Sequence, residues 1–250
     1  MKQAERKKNL FIIFGASRGL GMALAEIIKK SSANELLIIN RRAIRPQSKK
    51  VKELAIDLST PLTSQQLSII FRTIAPDKYR CVFIVNNASV VEPIKPLGKC
   101  DPKKIVQACN INFINYAIII DKFIKYNAGR TTRKKILNIT SGTATSPHFG
   151  LSMYCSTKAA LEMLTKCIFM EQQKLRHVKI LAIRPGVMDT RMQQFMRASR
   201  QSDFAQVNVY KTLYKKKMLL PPRHVAQKIY RILNNDNYWR KAVRDVREMK

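Results

Sequence analysis

The sequence predicts an α/β fold, in which a single domain holds a doubly wound parallel sheet with helices on both faces. Short apolar runs typical of buried strands alternate along the chain with longer segments of helical spacing. The 250 residues are 46% hydrophobic, which is enough for one core without disulfide bonds. No internal repeat or low-complexity linker divides the chain, so we expect one domain over residues 1–250.

The predicted strands are short apolar runs in which β-branched and aromatic residues are frequent. In chain order they cover residues 10–14, 36–40, 51–56, 81–86, 136–140 and 179–184, with a weaker strand near 239–243. Residues 42–50 are too few for the helix that normally crosses between parallel strands, since such a crossover takes about a dozen residues or more. We therefore expect a loop between the second and third strands.

Helical spacing of apolar residues marks most of the remaining connections. The predicted helices cover residues 20–30, 64–74, 101–126, 154–175 and 222–233. Asp101 and Pro102 supply an N-cap and a first-turn proline for the third of these helices.

The charge of the chain is strongly unbalanced, with 47 lysines and arginines against 16 aspartates and glutamates, a net +31. Such an excess of positive charge favours binding to polyanions, so nucleic-acid binding is one function class to consider. The cations are dispersed along the chain, with no helix-turn-helix and no stripe of interleaved aromatic residues. We therefore expect a basic surface, including a basic N-terminal extension over residues 1–8, and no specific nucleic-acid partner.

Cysteine, histidine and hydropathy patterns exclude other classes. The five cysteines are scattered without a C-x-x-C pair, which is typical of reduced thiols and predicts a cytoplasmic protein. The three histidines are isolated, so no metal site is expected. No cleavage-site pattern follows the basic start, and no apolar run approaches about 18 residues, so we expect neither a signal peptide nor a membrane span.

A glycine-rich turn, GASRGLG over residues 15–21, follows the first predicted strand and opens the first predicted helix. Gly15 allows a tight turn, Gly19 lets the backbone approach a pyrophosphate, and Gly21 lets the helix pack close to the strand. With the amide donors of the helix N-terminus, this pattern predicts a dinucleotide site. A flexible turn in an ordinary α/β unit is the alternative.

Two arginines, Arg41 and Arg42, follow the second predicted strand, where an NAD site usually carries an acid for the ribose hydroxyls. Residues 36–52 contain no acid. Guanidinium groups match a 2′-phosphate, and Ser17 and Arg18 could contact the same group. The sequence therefore predicts NADP(H) as the cofactor.

Tyr154 and Lys158 lie four residues apart in a predicted helix, so the phenol and the ammonium share one face. A nearby cation lowers the pKa of a tyrosine, and such a phenol can give a proton to a carbonyl oxygen. Ser141 ends a strand-like run, and its hydroxyl could orient the same carbonyl.

Together these motifs resemble the short-chain dehydrogenase/reductase family over nearly the whole chain, which implies a Rossmann fold. The matching positions are 15–21, Asp57-Leu58, Asn86-Asn87-Ala88, Asn112, Ser141, Tyr154, Lys158, and Pro185-Gly186 followed by Thr190. Residues 137–164 and 184–193 look most like the sepiapterin reductase and benzil reductase branch.

The resemblance implies a catalytic tetrad of Asn112, Ser141, Tyr154 and Lys158. In it, Tyr154 would be the acid/base, Lys158 would also hold the nicotinamide ribose, and Asn112 would hold a water of the proton relay. In the bound cofactor, Asp57 would contact the adenine, the backbone of residues 86–88 the centre of the molecule, and Thr190 the carboxamide. The full set of implied cofactor-binding residues is Gly15, Ser17, Arg18, Gly19, Leu20, Gly21, Arg41, Arg42, Asp57, Leu58, Asn86, Asn87, Ala88, Tyr154, Lys158, Pro185, Gly186, Val187 and Thr190.

Three features depart from the family pattern. Phe14 replaces the usual threonine before the glycine turn, Ser89 replaces the usual glycine after Asn86-Asn87-Ala88, and the 42–50 connection is short. All three touch the predicted cofactor site, so they bear on cofactor affinity more than on the chemistry.

The segment of about residues 187–220 is expected to form a substrate lid. Its apolar residues Met188, Met192 and Phe195, together with Met196 and Phe204, would fit a flat apolar substrate, while Ser141 and Tyr154 hold one carbonyl oxygen. We therefore expect compact, largely apolar vicinal dicarbonyls as substrates.

Two other functions stay open at this point. One is reduction of a 3-oxoacyl thioester, because the basic surface could dock an acyl carrier. The other is a non-catalytic NADP-binding regulator on the same fold. The resemblance also implies that the apolar stripes of 105–123 and 161–168 pair across a two-fold axis, as a homodimer or within a tetramer.

Overall fold

The computed structural model describes residues 7–43, 48, 50–75, 77–126 and 132–249. Within these residues, seven strands form one parallel sheet in the order β3-β2-β1-β4-β5-β6-β7. The strands are β1 Lys8–Phe14, β2 Asn34–Asn40, β3 Val51–Ala55, β4 Tyr79–Asn86, β5 Arg133–Ile139, β6 Lys179–Arg184 and β7 Val243–Asp245. The single-domain, doubly wound α/β fold that the alternating pattern predicts is confirmed.

Helices cover both faces of the sheet. They are α1 Gly19–Ile28, α2 Ser64–Arg72, α3 Pro102–Cys109, α4 Asn115–Lys125, α5 Ser152–Leu175, α6 Arg191–Arg197, α7 Val207–Lys215 and α8 Pro222–Asn234. One face of the sheet packs against α2, α4 and α5, and the opposite face packs against α1 and α8. Adjacent strand residues enter different cores: Ile12 packs in the first and Ile13 in the second, both fully buried. Burial on two sides explains why the strands are continuous apolar runs.

The helix predicted over residues 101–126 is interrupted. Asp101 caps α3 as expected, its carboxylate accepting a hydrogen bond from the Lys103 amide at 2.9 Å. A π-helical turn, Asn110–Ile114, then joins α3 to α4. Asn112 lies in this turn, and π turns inside helices occur frequently at functional sites.

The expected strand near 239–243 is displaced toward the C-terminus. Residues Asp236–Arg240 form a 3₁₀ turn, because the Trp239 ring is buried and its indole N–H donates to the Ile232 carbonyl at 3.0 Å. Strand β7 therefore begins only at Val243.

The basic extension expected over residues 1–8 is shorter than predicted, because Lys8 already begins β1. Its residues 1–6 lie outside the described residues. The loop expected between β2 and β3 agrees with the structure where the connection is described, at 41–43, 48 and 50. Leu36 pairs directly with Val51 and Asn40 with Ala55, so the two strands are immediate neighbours.

A third apolar cluster lies between the start of α5 and the α6–α7 segment. Its buried members are Val91, Leu151, Tyr154, Met196, Phe204, Val207 and Tyr210. The segment after β6 is therefore packed onto the end of α5 that carries Tyr154. No helix in the described part of the chain is long and apolar enough to cross a membrane.

Candidate active site

A cavity of about 610 Å³ lies at the carboxyl ends of the strands. The strand order reverses between β1 and β4, and open parallel sheets bind ligands at such a switch point. Most of the residues predicted for the site line this cavity: Gly15, Ser17, Arg18, Gly19, Leu20, Arg41, Arg42, Asp57, Leu58, Asn87, Ala88, Ser141, Tyr154, Lys158, Pro185, Gly186, Val187, Met188, Thr190, Met192 and Phe195. Four predicted residues do not line it, namely Gly21, Asn86, Asn112 and Phe204, the last because it is fully buried in the third apolar cluster.

The glycine turn needs glycine for two different reasons. Gly15 has φ +82°, and a Cβ there would lie 2.7 Å from Cα of Ala88. A Cβ on Gly21 would collide with the carbonyl of Gly15, so a glycine at position 21 allows α1 to pack closely onto the turn. Gly21 itself does not line the cavity. The turn thus presents bare backbone and the N-terminus of α1 to a ligand.

Two asparagines brace the glycine turn from neighbouring strands. The Asn40 side chain, at the end of β2, accepts from the Ala16 amide at 2.9 Å. The Asn87 side chain, which follows β4, donates to the Gly15 carbonyl at 2.5 Å. The role of Asn40 was not predicted. No local pattern marks it, because the bond joins residues 24 positions apart.

The end of β2 presents cations to the cavity. Arg41 and Arg42 are exposed and line it, as do Ser17 and Arg18 of the glycine turn. The nearest acid on the neighbouring strand, Glu53, is only 4% exposed and accepts from the Asn40 amide. Its carboxylate is therefore directed into the protein and not toward the cavity.

Ser141, Tyr154 and Lys158 come together at the other end of the cavity. Ser141 caps the 3₁₀ turn Gly142–Ala144, its hydroxyl accepting from the Thr143 amide at 3.2 Å. Lys158 lies with its Nζ 5.7 Å from the Tyr154 ring centroid, so the predicted shared face of α5 is confirmed. The Lys158 ammonium donates to the Ile139 carbonyl at 2.9 Å, which ties α5 to the end of β5.

The charge states of this group differ from the prediction. Burial raises the pKa of Tyr154 to about 12, while the Ser141 hydroxyl beside it acts in the opposite direction. Burial also lowers the pKa of Lys158 to about 7. The expectation that the Lys158 ammonium lowers the pKa of Tyr154 is therefore wrong for this structure, because desolvation disfavours the charged form of both groups.

Asn112 lies behind the cavity wall. Its Oδ1 accepts from the Ser89 hydroxyl and the Val90 amide, both at 2.9 Å. Its Nδ2 donates to the Val90 carbonyl at 2.9 Å and to the Thr157 hydroxyl at 3.1 Å. The amide thus links the segment after β4 to α5. Ser89, which replaces a family glycine, takes part in this link.

Asn86 is also buried beneath the site. Its Nδ2 donates to Asn138 Oδ1 at 2.7 Å, and Asn138 donates in turn to the Thr165 hydroxyl at 2.8 Å. These two hydrogen bonds join β4, β5 and α5, so the Asn86 side chain supports the sheet below the cavity.

The wall beyond Ser141 and Tyr154 is largely apolar. Met188 and Met192 are half-buried, whereas the predicted Phe195 is 47% exposed at the rim. Several polar residues that were not predicted also line the cavity, among them Thr143, Tyr210, Glu92 and Gln193. No motif marks these positions, so only the tertiary structure identifies them.

Comparisons with known proteins agree with this geometry. A family model described as short chain dehydrogenase matches residues 9–201. A benzil reductase ((S)-benzoin forming) of Bacillus subtilis (strain 168) is 33% identical over 227 residues, covering 90% of this chain and 93% of the relative. The Bacillus cereus enzyme of the same name is 30% identical over 240 residues, covering 91% of this chain and 94% of the relative.

More distant proteins also match over most of the chain. Sepiapterin reductase of Bos taurus is 24% identical over 248 residues, covering 92% of this chain and 91% of the relative. A solved short-chain dehydrogenase/reductase from Saccharomyces cerevisiae superposes with a TM-score of 0.79 at 18% identity, covering 96% of this chain and 97% of that one. The chain therefore belongs to the short-chain dehydrogenase/reductase family, and within it is similar to the benzil and sepiapterin reductases.

Proposed function

We propose that this protein reduces a carbonyl group to a hydroxyl, using NADPH as the hydride source and Tyr154 as the proton donor. One observation carries the proposal: a single cavity joins the glycine turn to Ser141, Tyr154 and Lys158. Hydride reduction of a carbonyl requires two parts of a site, and the cavity offers both. Its first half, at the glycine turn, would bind a dinucleotide, and its second half places the buried Tyr154 phenol, an acid, beside the Ser141 hydroxyl.

The shape of the first half fits a dinucleotide. Gly15 and Gly21 remove the side-chain atoms that would fill the turn, and α1 begins there with its positive dipole end. Ser17 and Arg18 would hold phosphate oxygens, Asp57 would meet the adenine, and Lys158 would hold the nicotinamide ribose. When bound, the nicotinamide supplies the hydride.

The preference for NADPH is supported by charge. Arg41 and Arg42 are exposed at the cavity rim, where they would bind a 2′-phosphate. The carboxylate of Glu53, which could otherwise bind ribose hydroxyls, is buried and bonded to Asn40.

The second half would handle the carbonyl oxygen. The Ser141 hydroxyl would hold this oxygen, and the Tyr154 hydroxyl would donate its proton as the carbonyl carbon accepts the hydride. A phenol of pKa about 12 is protonated throughout the neutral range, so it is ready to act as an acid. The alkoxide formed by hydride addition is a stronger base than a phenolate, which favours the transfer.

The substrate class follows from the apolar wall and from the relatives. We propose compact, largely apolar vicinal dicarbonyls, because Met188, Met192 and Met196 line the cavity beyond Tyr154. In such a compound the second carbonyl withdraws electrons from the first and eases hydride addition. The name benzil reductase of two relatives points to the same class.

The cofactor preference is tested by the ratio of kcat/KM for NADPH to that for NADH, with benzil as the carbonyl substrate. We expect a clear NADPH preference that largely disappears in Arg41→Ala/Arg42→Ala, since each charge-assisted hydrogen bond contributes about 1.5–3 kcal/mol. Arg72→Ala, which removes an exposed cation from the end of α2, is the matched control. Equal loss with both cofactors, or a wild-type preference for NADH, contradicts the assignment.

The substrate class is tested by NADPH oxidation with four compounds in parallel: benzil, 1-phenyl-1,2-propanedione, a pterin diketone and an acetoacetyl thioester. We expect turnover of the diketones. Turnover of the thioester alone indicates a 3-oxoacyl thioester reductase. Binding of NADPH without turnover of any compound favours a non-catalytic regulator.

A further inference from the structure

The cavity contains a second phenol that the proposed reaction has not yet used. Tyr210 projects from α7, is only 9% exposed, and lines the same cavity as Tyr154. Both tyrosines belong to one apolar cluster between α5 and the α6–α7 segment. Two tyrosines therefore line one cavity, Tyr154 from α5 and Tyr210 from α7.

The Tyr210 ring is held in place by its surroundings. It packs against Phe204 with ring centroids 5.3 Å apart and an interplanar angle of 52°. The Tyr210 carbonyl accepts from Gln193 Nε2 at 3.2 Å, which joins α7 to α6. A rigid ring presents its hydroxyl at a defined position, so little entropy is lost when that hydroxyl binds a ligand.

The Tyr210 hydroxyl is available for a ligand. The hydrogen bonds of this residue are made by its backbone, to Gln193 and Gln206, and within the described residues its hydroxyl makes none. Burial raises the pKa of Tyr210, so the group stays a donor at all physiological pH. Tyr210 also contributes to the raised pKa of Tyr154, after the larger effect of burial, and both residues belong to the same apolar cluster.

We infer that the Tyr210 hydroxyl donates a hydrogen bond to the second carbonyl oxygen of a vicinal dicarbonyl, while Ser141 and Tyr154 hold the first. This inference rests on the proposed function and adds to it the residue that selects dicarbonyls over simple ketones. A monoketone of the same size has no acceptor for Tyr210 and would leave a buried hydroxyl unpaired, which a polar site penalises.

Thr143 is the competing donor. Its Oγ1 is buried, has no hydrogen-bond partner among the described residues, and the residue lines the same cavity. We favour Tyr210 because a phenol is more acidic than an aliphatic alcohol and therefore a stronger donor to a carbonyl oxygen.

The experiment compares benzil with deoxybenzoin, which keeps both phenyl rings and lacks one carbonyl oxygen. The measured quantity is the ratio of kcat/KM for benzil to that for deoxybenzoin, with NADPH saturating. We expect this ratio to fall about tenfold in Tyr210→Phe, a change typical of losing one hydrogen bond. Tyr210→Phe removes one oxygen and keeps the ring that packs on Phe204, and a thermal melt verifies the fold.

Two further variants complete the design. Tyr214→Phe changes a tyrosine one turn later in α7 that is 51% exposed, and it should leave the ratio unchanged. Thr143→Val tests the competing donor. An unchanged ratio in Tyr210→Phe, or a fall in Thr143→Val alone, overturns the inference while diketone turnover leaves the proposed function standing. Failure of the wild-type protein to reduce any diketone overturns both.

Discussion

Tyr154 and Lys158 lie one turn apart in α5, and burial shifts both toward their neutral forms. The phenol therefore keeps its proton at neutral pH, whereas the amine loses part of its charge near pH 7. Tyr154 is therefore suited to giving a proton.

Replacing Tyr154 with phenylalanine should lower carbonyl reduction by about 10²–10⁴-fold, the usual effect of losing a positioned acid. Binding of NADPH should be nearly unchanged, because the glycine turn is untouched. The measurements are kcat with benzil and the thermal shift that NADPH produces. Substantial activity in a folded Tyr154→Phe protein would show that another group supplies the proton.

The low pKa of the buried Lys158 should make the free energy of unfolding depend on pH. Its pKa is near 7 in the folded protein and near its ordinary value of 10.5 in the unfolded chain. Between these values the unfolded chain binds more protons, so this group makes stability rise with pH, by at most about 1.4 kcal/mol per pH unit. Below pH 7 both states hold the proton and the slope vanishes.

We therefore expect the free energy of unfolding of the wild-type protein, minus that of Lys158→Met, to increase from pH 7 to pH 9.5. Lys174→Met, which removes an exposed lysine from the last turn of the same helix, is the control substitution. The measurement is urea unfolding without cofactor at each pH. A flat difference for Lys158→Met contradicts the low pKa.

At the scale of elements, strand β6 is tied to helix α5 by the ion pair between Arg184 and Glu162. Arg184, at the end of β6, donates to both carboxylate oxygens of Glu162 in α5, at 2.9 and 2.6 Å. The Glu162 side chain is 3% exposed and that of Arg184 is 23% exposed. The pair lies just before Pro185 and Gly186, which line the cavity.

Removing the Arg184 guanidinium should leave the buried Glu162 carboxylate without its main partner. We expect Arg184→Met to lower the free energy of unfolding by roughly 2–3 kcal/mol, somewhat less than for a fully buried pair. Lys166, with its Nζ 3.4 Å from the carboxylate, offsets part of the loss. Arg184→Met/Glu162→Gln should recover stability, because the remaining side chain is neutral.

The exposed pair Lys125–Asp121 provides the control for this measurement. Its side chains are 71% and 64% exposed, so Lys125→Met should change the unfolding free energy by less than about 1 kcal/mol. If urea unfolding shows equal effects for Arg184→Met and Lys125→Met, the buried pair does not hold α5 to β6.

At the scale of the whole molecule, α3 and α5 carry apolar side chains that the monomer leaves exposed. Val106 in α3 is 59% exposed, and Met163 and Met170 in α5 are 58% and 73% exposed. Met163 and Met170 are seven residues apart and so lie on one face of the helix. This face overlaps the stripes from which a homodimer is predicted.

We propose that a second copy of the chain covers this face, so Met163→Glu/Met170→Glu should convert a dimer to a monomer. Two buried carboxylates would be expensive to desolvate at such an interface. Light scattering coupled to size-exclusion chromatography measures the mass, and Met218→Glu, at a position 60% exposed after α7, is the control. A wild-type monomer, or a dimer that survives the double change, contradicts this pairing.

Local sequence patterns were enough to predict the order of the strands, the helical regions of α1 to α5 and of α8, the glycine turn and the four-residue spacing of Tyr154 and Lys158, whereas helices α6 and α7 were not predicted. These features depend on residue periodicity and on the backbone freedom of particular glycines, both of which are properties of short segments. The central strands required no knowledge of their partners, because burial on two faces makes runs such as residues 10–14 and 36–39 apolar throughout.

Other features were decided only by the tertiary structure. The hydrogen bonds of Asn112 in the π turn, the brace from Asn40 to the glycine turn and the place of Tyr210 beside Tyr154 all join segments that are distant in the chain. The reversed pKa prediction has the same origin: spacing along α5 places Lys158 beside Tyr154, but desolvation by the surrounding core determines which of the two carries charge. Burial depends on the tertiary structure of the whole chain, so it cannot be predicted from any one segment of the sequence.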